Sequence, residues 1–322
     1  MRKLWNSAWL ILAAANLFWA GNIVLARGIA GEVPPITLAW LRWTGAFLVA
    51  VGFAIPLLRR DLPVMLRHWK IMLALAATGI ASYNTMSYIG LTETTALNVL
   101  LLQSATPLII IVWAFLLFRD RPSPRQVGGV LLSLAGVAAI AAHGSLATLA
   151  TLTLNPGDVW VLAALVIYAI YCVILRRRPA VHPLSFLVTC MGLGSLMILP
   201  FTLAELGSGA AFHARATTWL GVAYMALMPS FIAYLCFNRG IELIGGGPAG
   251  QSMHLMPLFG SILAVVFLNE AFRSYHLVGI VLIAGGILLA SLRVGRPAAT
   301  PAHVAAGVPA GRARAAIPAV PE

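Results

Sequence analysis

Deep inside apolar stretches of this chain, two prolines each follow a cluster of polar residues. Gln103, Ser104 and Thr106 lead into Pro107, while Gln251, Ser252 and His254 lead into Pro257. A proline within a helix lacks an N–H and frees the carbonyl four residues earlier, here those of Gln103 and Met253. In a membrane, proline-interrupted helices at matching positions of two halves point to a binding site for a transported solute. A simple kink healed by a nearby Ser or Thr hydroxyl would use the same residues. The matched occurrence favours the site.

Polar and aromatic stripes point the same way. Asn84 and Tyr88 stand four residues apart, with Tyr83 and Ser87 beside them. Tyr234 and Asn238 repeat that step, and Ser230 extends the row. Trp19 and Asn22 are matched by Tyr168 and Tyr171. Steps of three and four put each set on one helix face. Such a face suits a bundle interior better than lipid. There it either lines a cavity or joins helices by hydrogen bonds worth about 0.6–2 kcal/mol each.

Two ionisable residues lie deep as well. His254 is about six residues, roughly 9 Å, from one end of its apolar stretch. It is either a proton or substrate group titrating near neutrality or a neutral ring held by a carbonyl. Arg42 either binds a substrate carboxylate or snorkels to the surface, and the sequence favours snorkelling.

Enzymatic chemistry finds no footing. The sequence has no His-Glu-x-x-His, no Gly-x-Ser-x-Gly and no phosphate-binding Gly-x-x-x-x-Gly-Lys-Ser/Thr. Glu32, Glu93, Asp158, Glu205 and Glu270 fall near one end of the apolar stretches, and Asp61, Asp120 and Glu242 near the other. No catalytic residue, metal ligand set or cofactor site is expected. Cys172, Cys190 and Cys236 lie within apolar runs without Cys-x-x-Cys spacing and are expected as free thiols.

The elements that must position these residues are membrane helices. The chain is 61% hydrophobic and only 9% charged over 322 residues, too little charge for a soluble surface. Apolar runs of about 20 residues, the length that crosses a hydrocarbon core, recur throughout. They predict ten transmembrane helices at 8–26, 36–58, 71–90, 96–118, 126–143, 157–175, 184–204, 218–238, 248–268 and 275–292. The first, preceded by Arg2 and Lys3, has the look of a signal peptide, but its match to the sixth argues that it is retained.

The second half repeats the first. Placing Pro107 on Pro257, 150 positions on, brings Asp120 onto Glu270, Gly129 onto Gly279 and Gly136 onto Gly286. With the N-terminus inside, only Arg27, Arg215 and Arg273 of the 21 Lys and Arg residues lie outside, and Arg42 lies within a span. That asymmetry puts both termini in the cytoplasm. It also accounts for the net charge of +12 without nucleic acid. Five helices per copy make the two halves antiparallel. The expected organisation is a first repeat at 8–143, an external linker at 144–156, a second repeat at 157–292 and a disordered cytoplasmic tail at 293–322. Gly129, Ser133 and Gly136, with Gly279, Gly286 and Ala290, form small-residue seams suited to close packing.

The stretch from Gly90-Leu91 through Thr95-Ala96, Pro107, Phe118 and Asp120 to Gly136 resembles the EamA family of the drug/metabolite transporter superfamily. Its second copy runs from Gly240 through Pro257 and Asn269-Glu270 to Gly286. The resemblance covers about 8–292, and Arg42 resembles an arginine often found in the family's second span. It implies a secondary transporter, commonly an exporter of amino acids, other metabolites or toxic compounds. It also implies a central cavity lined by spans 1, 3, 4, 6, 8 and 9. Arg119-Asp120 and Asn269-Glu270 depart from the family's usual Gly-Glu, and Cys190 or a neighbour stands where a second arginine would.

The expected protein is therefore an all-α integral membrane protein of two inverted five-helix repeats in the plasma membrane. It is expected to export a small metabolite such as an amino acid by alternating access. An efflux protein for drugs or other metabolites is the alternative; a lipid-modifying membrane enzyme and a non-transporting receptor rank below it. Without an intramembrane glutamate, export would be facilitated or coupled through His254. The partners are a small-molecule substrate and lipid, not nucleic acid, with monomer and homodimer both open.

Overall fold

The computed structural model describes residues 5–103, 105–141, 144, 155–210, 212–213, 215–244 and 252–291. Most of the linker and the whole tail therefore lie outside the described residues. The described residues are helical except for connecting turns and an isolated β-bridge between Ala30 and Val33. Helices satisfy the backbone internally, which lipid demands.

Helix α1 (Ala8–Gly28) is followed by α2 (Pro35–Arg67), α3 (Trp69–Ala76) and α4 (Tyr83–Glu93), with a π-helical segment at Ala77–Ser82 joining the last two. Next come α5 (Ala96–Gln103), α6 (Thr106–Phe118) and α7 (Pro124–Ala141). After the linker the order returns: α8 (Pro156–Ile174), α9 (Pro183–Gly207), α10 (Ala216–Leu227), a π-helical segment at Met228–Ile232, and α11 (Ala233–Ile244). A short 3-10 turn at Ser252–His254 opens α12 (Leu255–Leu268), and α13 (Ser274–Ser291) closes the described chain. Proline lies in the first turn of α2, α8 and α9, where its missing N–H has no partner to lose.

Among the described residues, five helical stretches are long and apolar enough to cross a membrane unaided: Ala8–Gly28, Pro35–Arg67, Pro156–Arg177, Pro183–Gly207 and Ala216–Ile241. A sixth crossing is available to α5 and α6 together, which bend by 49°. Leu48, Phe53, Leu196, Phe201, Leu220 and Phe267 are between 63% and 71% exposed. Such an apolar girdle would drive aggregation in water and is at home against acyl chains.

Helix α2 departs from the expected span at 36–58. It runs on to Arg67 over 33 residues despite Pro56 and Pro63, about 50 Å at 1.5 Å per residue. Asp61 and Met65 are the reason, because both are buried against the start of α9. The Asp61 carboxylate accepts from the His182 N–H at 2.9 Å, and Met65 Sδ accepts from the Thr189 hydroxyl at 3.4 Å. The expected span at 96–118 is two helices, broken just before Pro107. The carbonyl freed by that proline, Gln103 O, accepts from Thr106 Oγ1 at 2.6 Å. At this break the healed-kink alternative is what forms.

Helices α2 and α9 lie antiparallel, and each holds the other's N-terminus. Glu205 at the end of α9 accepts from Ile36 N, Thr37 N and Thr37 Oγ1 at 2.7–3.1 Å. Asp61, near the end of α2, meets His182 at the head of α9. The two small-residue seams also meet each other antiparallel. A side chain at Gly136 would strike the Gly279 carbonyl and Ile283, and one at Gly286 would strike the Gly129 carbonyl and Ser133. The Ser133 hydroxyl donates to Ile283 O at 3.2 Å.

Candidate functional site

The two π-helical segments sit where the polar stripes converge. Ala77–Ser82 runs directly into Tyr83 and Asn84. Met228–Ile232 carries Ser230, whose hydroxyl donates to Met225 O at 2.9 Å, five residues back. A π turn widens a helix by one residue per turn and recurs at functional sites. Here it redirects side chains and opens a carbonyl: Pro229 O accepts from Trp19 Nε1 at 2.9 Å.

At the centre lies Arg42, only 4% exposed. Its Nε donates to Ser230 Oγ at 2.8 Å, and its Nη1 donates to Asn84 Oδ1 at 2.5 Å and to Tyr88 Oη at 2.8 Å. Tyr88 Oη in turn donates to Asn22 Oδ1 at 2.8 Å. The guanidinium also stands 4.5 Å from the centroid of the Trp43 ring. The snorkelling expected from sequence is therefore wrong. Three neutral acceptors on two other helical segments hold the head group inside, so it does not reach for the surface.

Beside this network is a layer of tyrosines. The Tyr83 and Tyr168 ring centroids are 4.4 Å apart, and Tyr168 stacks on Tyr171 at 5.6 Å. Gly79 makes room for Tyr171, since any side chain there would enter its ring. Gln103 Nε2 donates to Tyr83 Oη at 2.9 Å. Tyr234 packs edge-on against Trp19 at 5.6 Å, and Phe237 flanks Trp19 at 5.2 Å. Tyr234 lies within electrostatic reach of Tyr83, Tyr168 and Tyr171, and Arg42 within reach of Tyr83 and Tyr234. All four tyrosines are half-buried, so parts of their rings remain accessible.

Most sequence-predicted residues thus meet around one centre: Asn22, Asn84 and Tyr88 in the polar network, and Trp19, Tyr83, Gln103, Tyr168, Tyr171 and Tyr234 in the aromatic layer. Asn238 lies one turn beyond Tyr234 and makes no hydrogen bond within the described residues. Gln251 and the side chains of His254, Pro107 and Pro257 lie outside the described residues. Their neighbour Ser252 is buried and accepts from Asn16 Nδ2 at 3.1 Å. Arg42 was weighed from sequence and misjudged, because periodicity gives a residue's depth but not its partners. Asn16 was missed outright; its only signal was a polar residue in an apolar run.

A pocket of about 690 Å³ opens elsewhere, at the end of the bundle holding Arg27, Glu205 and Glu270. None of the predicted site residues lines it, and its charged groups are already occupied. Arg27 Nη1 donates to Leu91 O and Thr92 O at 2.7 and 3.1 Å. Glu270 accepts from Ala96 N and Leu97 N, both at 2.8 Å. Glu205 caps α2. These groups hold helix ends.

A further buried cluster joins α4, α5, α8 and α13. The Asp158 carboxylate accepts from Thr94 Oγ1 and, at 3.4 Å, from Asn98 Nδ2. His276 Nε2 lies 2.9 Å from Asn98 Oδ1. Asp158 is fully buried here, which its place near the end of a span did not foretell.

A helical bundle with a lipid-ready surface and an enclosed polar centre defines a multi-pass membrane protein. The chain belongs to the EamA-like transporter family, whose sequence model matches it twice, at residues 6–142 and 155–292. It is similar to the uncharacterized transporter YyaM of Bacillus subtilis, 24% identical over 88% of this chain and 93% of that one. The aromatic amino acid exporter YddG of Ancylobacter novellus is 26% identical over 89% of this chain and 98% of its own. A probable terminal-alkyne amino-acid exporter of Streptantibioticus cattleyicolor is 28% identical over 75% and 78%. A solved crystal structure, 23% identical over 88% of this chain and 96% of its own, superposes with a TM-score of 0.59, which supports the fold.

Proposed function

We propose that this protein is a secondary exporter of small metabolites, amino acids with large apolar or aromatic side chains foremost. It works by alternating access between two inverted five-helix halves, 8–143 and 157–292. The observation that carries this reading is the convergence of half-buried tyrosines from both halves beside the Arg42 network. Ring faces suit an apolar side chain, and fixed polar groups next to them suit the charged end of an amino acid. Two relatives named as amino-acid exporters agree with it. The inverted relation is supported by the reciprocal caps of α2 and α9 and by the antiparallel seams of α7 and α13. The Lys and Arg asymmetry supports a plasma-membrane orientation with both termini in the cytoplasm.

Counterflow in proteoliposomes tests the reading. Vesicles loaded with unlabelled phenylalanine, tyrosine, tryptophan or leucine should accumulate the labelled form of at least one faster than protein-free vesicles. Equal uptake with and without protein across the panel would remove the amino-acid assignment.

A further inference from the structure

Arg42 carries a positive charge in the interior of a membrane bundle, and its partners among the described residues are neutral. Its contacts are the Ser230 hydroxyl, the Asn84 amide oxygen, the Tyr88 hydroxyl and the Trp43 ring. Among the described residues no carboxylate pairs with it; the ion pairs there involve Arg60, Arg176 and Arg215. Buried charges are ordinarily paired, because desolvation costs several kcal/mol per ion and neutral dipoles offset it only partly. An intramembrane arginine without a counter-ion has a place for one.

The unused part of the guanidinium says where that place is. A guanidinium has five N–H donors. Nε uses one and Nη1 uses two, while the pair on Nη2 meets no acceptor among the described residues. Nor is Nη2 among the fully enclosed polar atoms that lack a partner, so part of its surface stays accessible. Asn84, Tyr88 and Ser230 fix the plane of the head group, and Tyr88 is itself fixed by Asn22. The free Nη2 donors are therefore held in a set orientation.

Resting on the transport reading above, we infer that Arg42 is the counter-charge for the cargo's carboxylate and that this contact selects acids over amines. The carboxylate takes the Nη2 edge, and the cargo's apolar part lies on the rings of Tyr83 and Tyr234. The two N–H groups on Nη2, with the charge behind them, suit the acceptor oxygens of a carboxylate better than a spherical anion, although Nε and Nη1 have spent the donors that a parallel fork would need. A bare amine of the same shape would instead place a second cation against Arg42.

Binding can be tested without transport. The full-length protein in detergent is unfolded thermally in the presence of 3-phenylpropionate, phenethylamine or chloride at equal ionic strength. Phenylpropionate should stabilise the wild type at a concentration at least about tenfold lower than phenethylamine or chloride. Arg42→Gln should abolish that preference. Arg42→Lys, which keeps the charge but not the directed Nη2 donors, should retain part of it and serves if the Gln variant does not fold. The inference falls if the amine or chloride stabilises as well as the acid, if no acid stabilises, or if the preference survives in Arg42→Gln. Acid-selective stabilisation without counterflow would sink the transport reading and leave this one standing. Counterflow with equal stabilisation by acid and amine would do the reverse.

Discussion

Helices α2 and α9 hold corresponding places in the two copies, lie antiparallel and differ where Arg42 stands. Their ends agree: each presents an acid, Asp61 or Glu205, to the first turn of the other. Their crossing agrees too. Thr44 and Ser195 share a hydrogen bond of 2.5 Å, and a glycine follows one and precedes the other, Gly45 and Gly194. Three residues before those glycines the copies part. Arg42 stands in α2 and Met191 in α9, the latter fully buried with Cys190 beside it. Both helices need capped ends and a close crossing wherever they sit, so those features persist in both copies. Recognition needs one charge on one side of one cargo, so the centre is free to diverge.

The largest test of this division is at the crossing. A side chain at Gly45 would come within 2.9 Å of the Ala226 methyl, and one at Gly194 would strike Ile80. Gly45→Leu and Gly194→Leu should each lower stability by about 1–3 kcal/mol or more through overpacking. Thermal unfolding and the yield of folded protein would report it. Tolerance at one position with collapse at the other would mean that the copies are not equivalent scaffolds.

The caps come next. Glu205→Ala removes three hydrogen bonds from the head of α2, and Asp61→Ala removes one from the head of α9. Loss of a helix cap costs roughly 0.5–2 kcal/mol, with the acid's charge at the N-terminus contributing to it. Glu205→Ala should fall at the upper end of that range and Asp61→Ala at the lower. Cargo selectivity should be unchanged in both. A shift in the acid-over-amine preference would tie the helix ends to recognition and blur the comparison.

This division also explains what could be read from the sequence. The seams and the stripes were legible because the two copies carry them at corresponding positions. The π turns were not, since Ala77–Ser82 and Met228–Ile232 share no residue pattern beyond an apolar helix. They are set by packing between helices, including the Tyr171 ring against Gly79. Arg42 showed its depth but not its partners, because Ser230 is 188 residues away and reaches it only through a π turn. The continuation of α2 past two prolines was hidden for the same reason, since a distant helix start holds Asp61 and Met65 in place.

The smallest expected effect lies where α6 and α12 end. Both stop on a residue in the left-handed region, Arg119 at φ 59° and Asn269 at φ 51°. Glycine takes that conformation freely, asparagine tolerates it, and arginine carries a penalty of about 1–2 kcal/mol. Arg119 is exposed, and its N–H to Phe115 O at 2.9 Å would survive replacement. The neighbouring ion pair belongs to Asp120 and Arg176, so no contact of the Arg119 head group is lost. Against the relieved strain stands the extra freedom that glycine gives the unfolded chain, about 0.4–1 kcal/mol. Arg119→Gly should therefore stabilise by roughly 0.5 kcal/mol, and Asn269→Gly should change almost nothing, because asparagine starts with less strain to relieve. A small rise in melting temperature for the first variant and none for the second would place the difference between the copies in the side chain alone. A fall for Arg119→Gly would show that the arginine holds the turn through contacts of its own, and that the two helix ends, like the two helix centres, have taken separate roles.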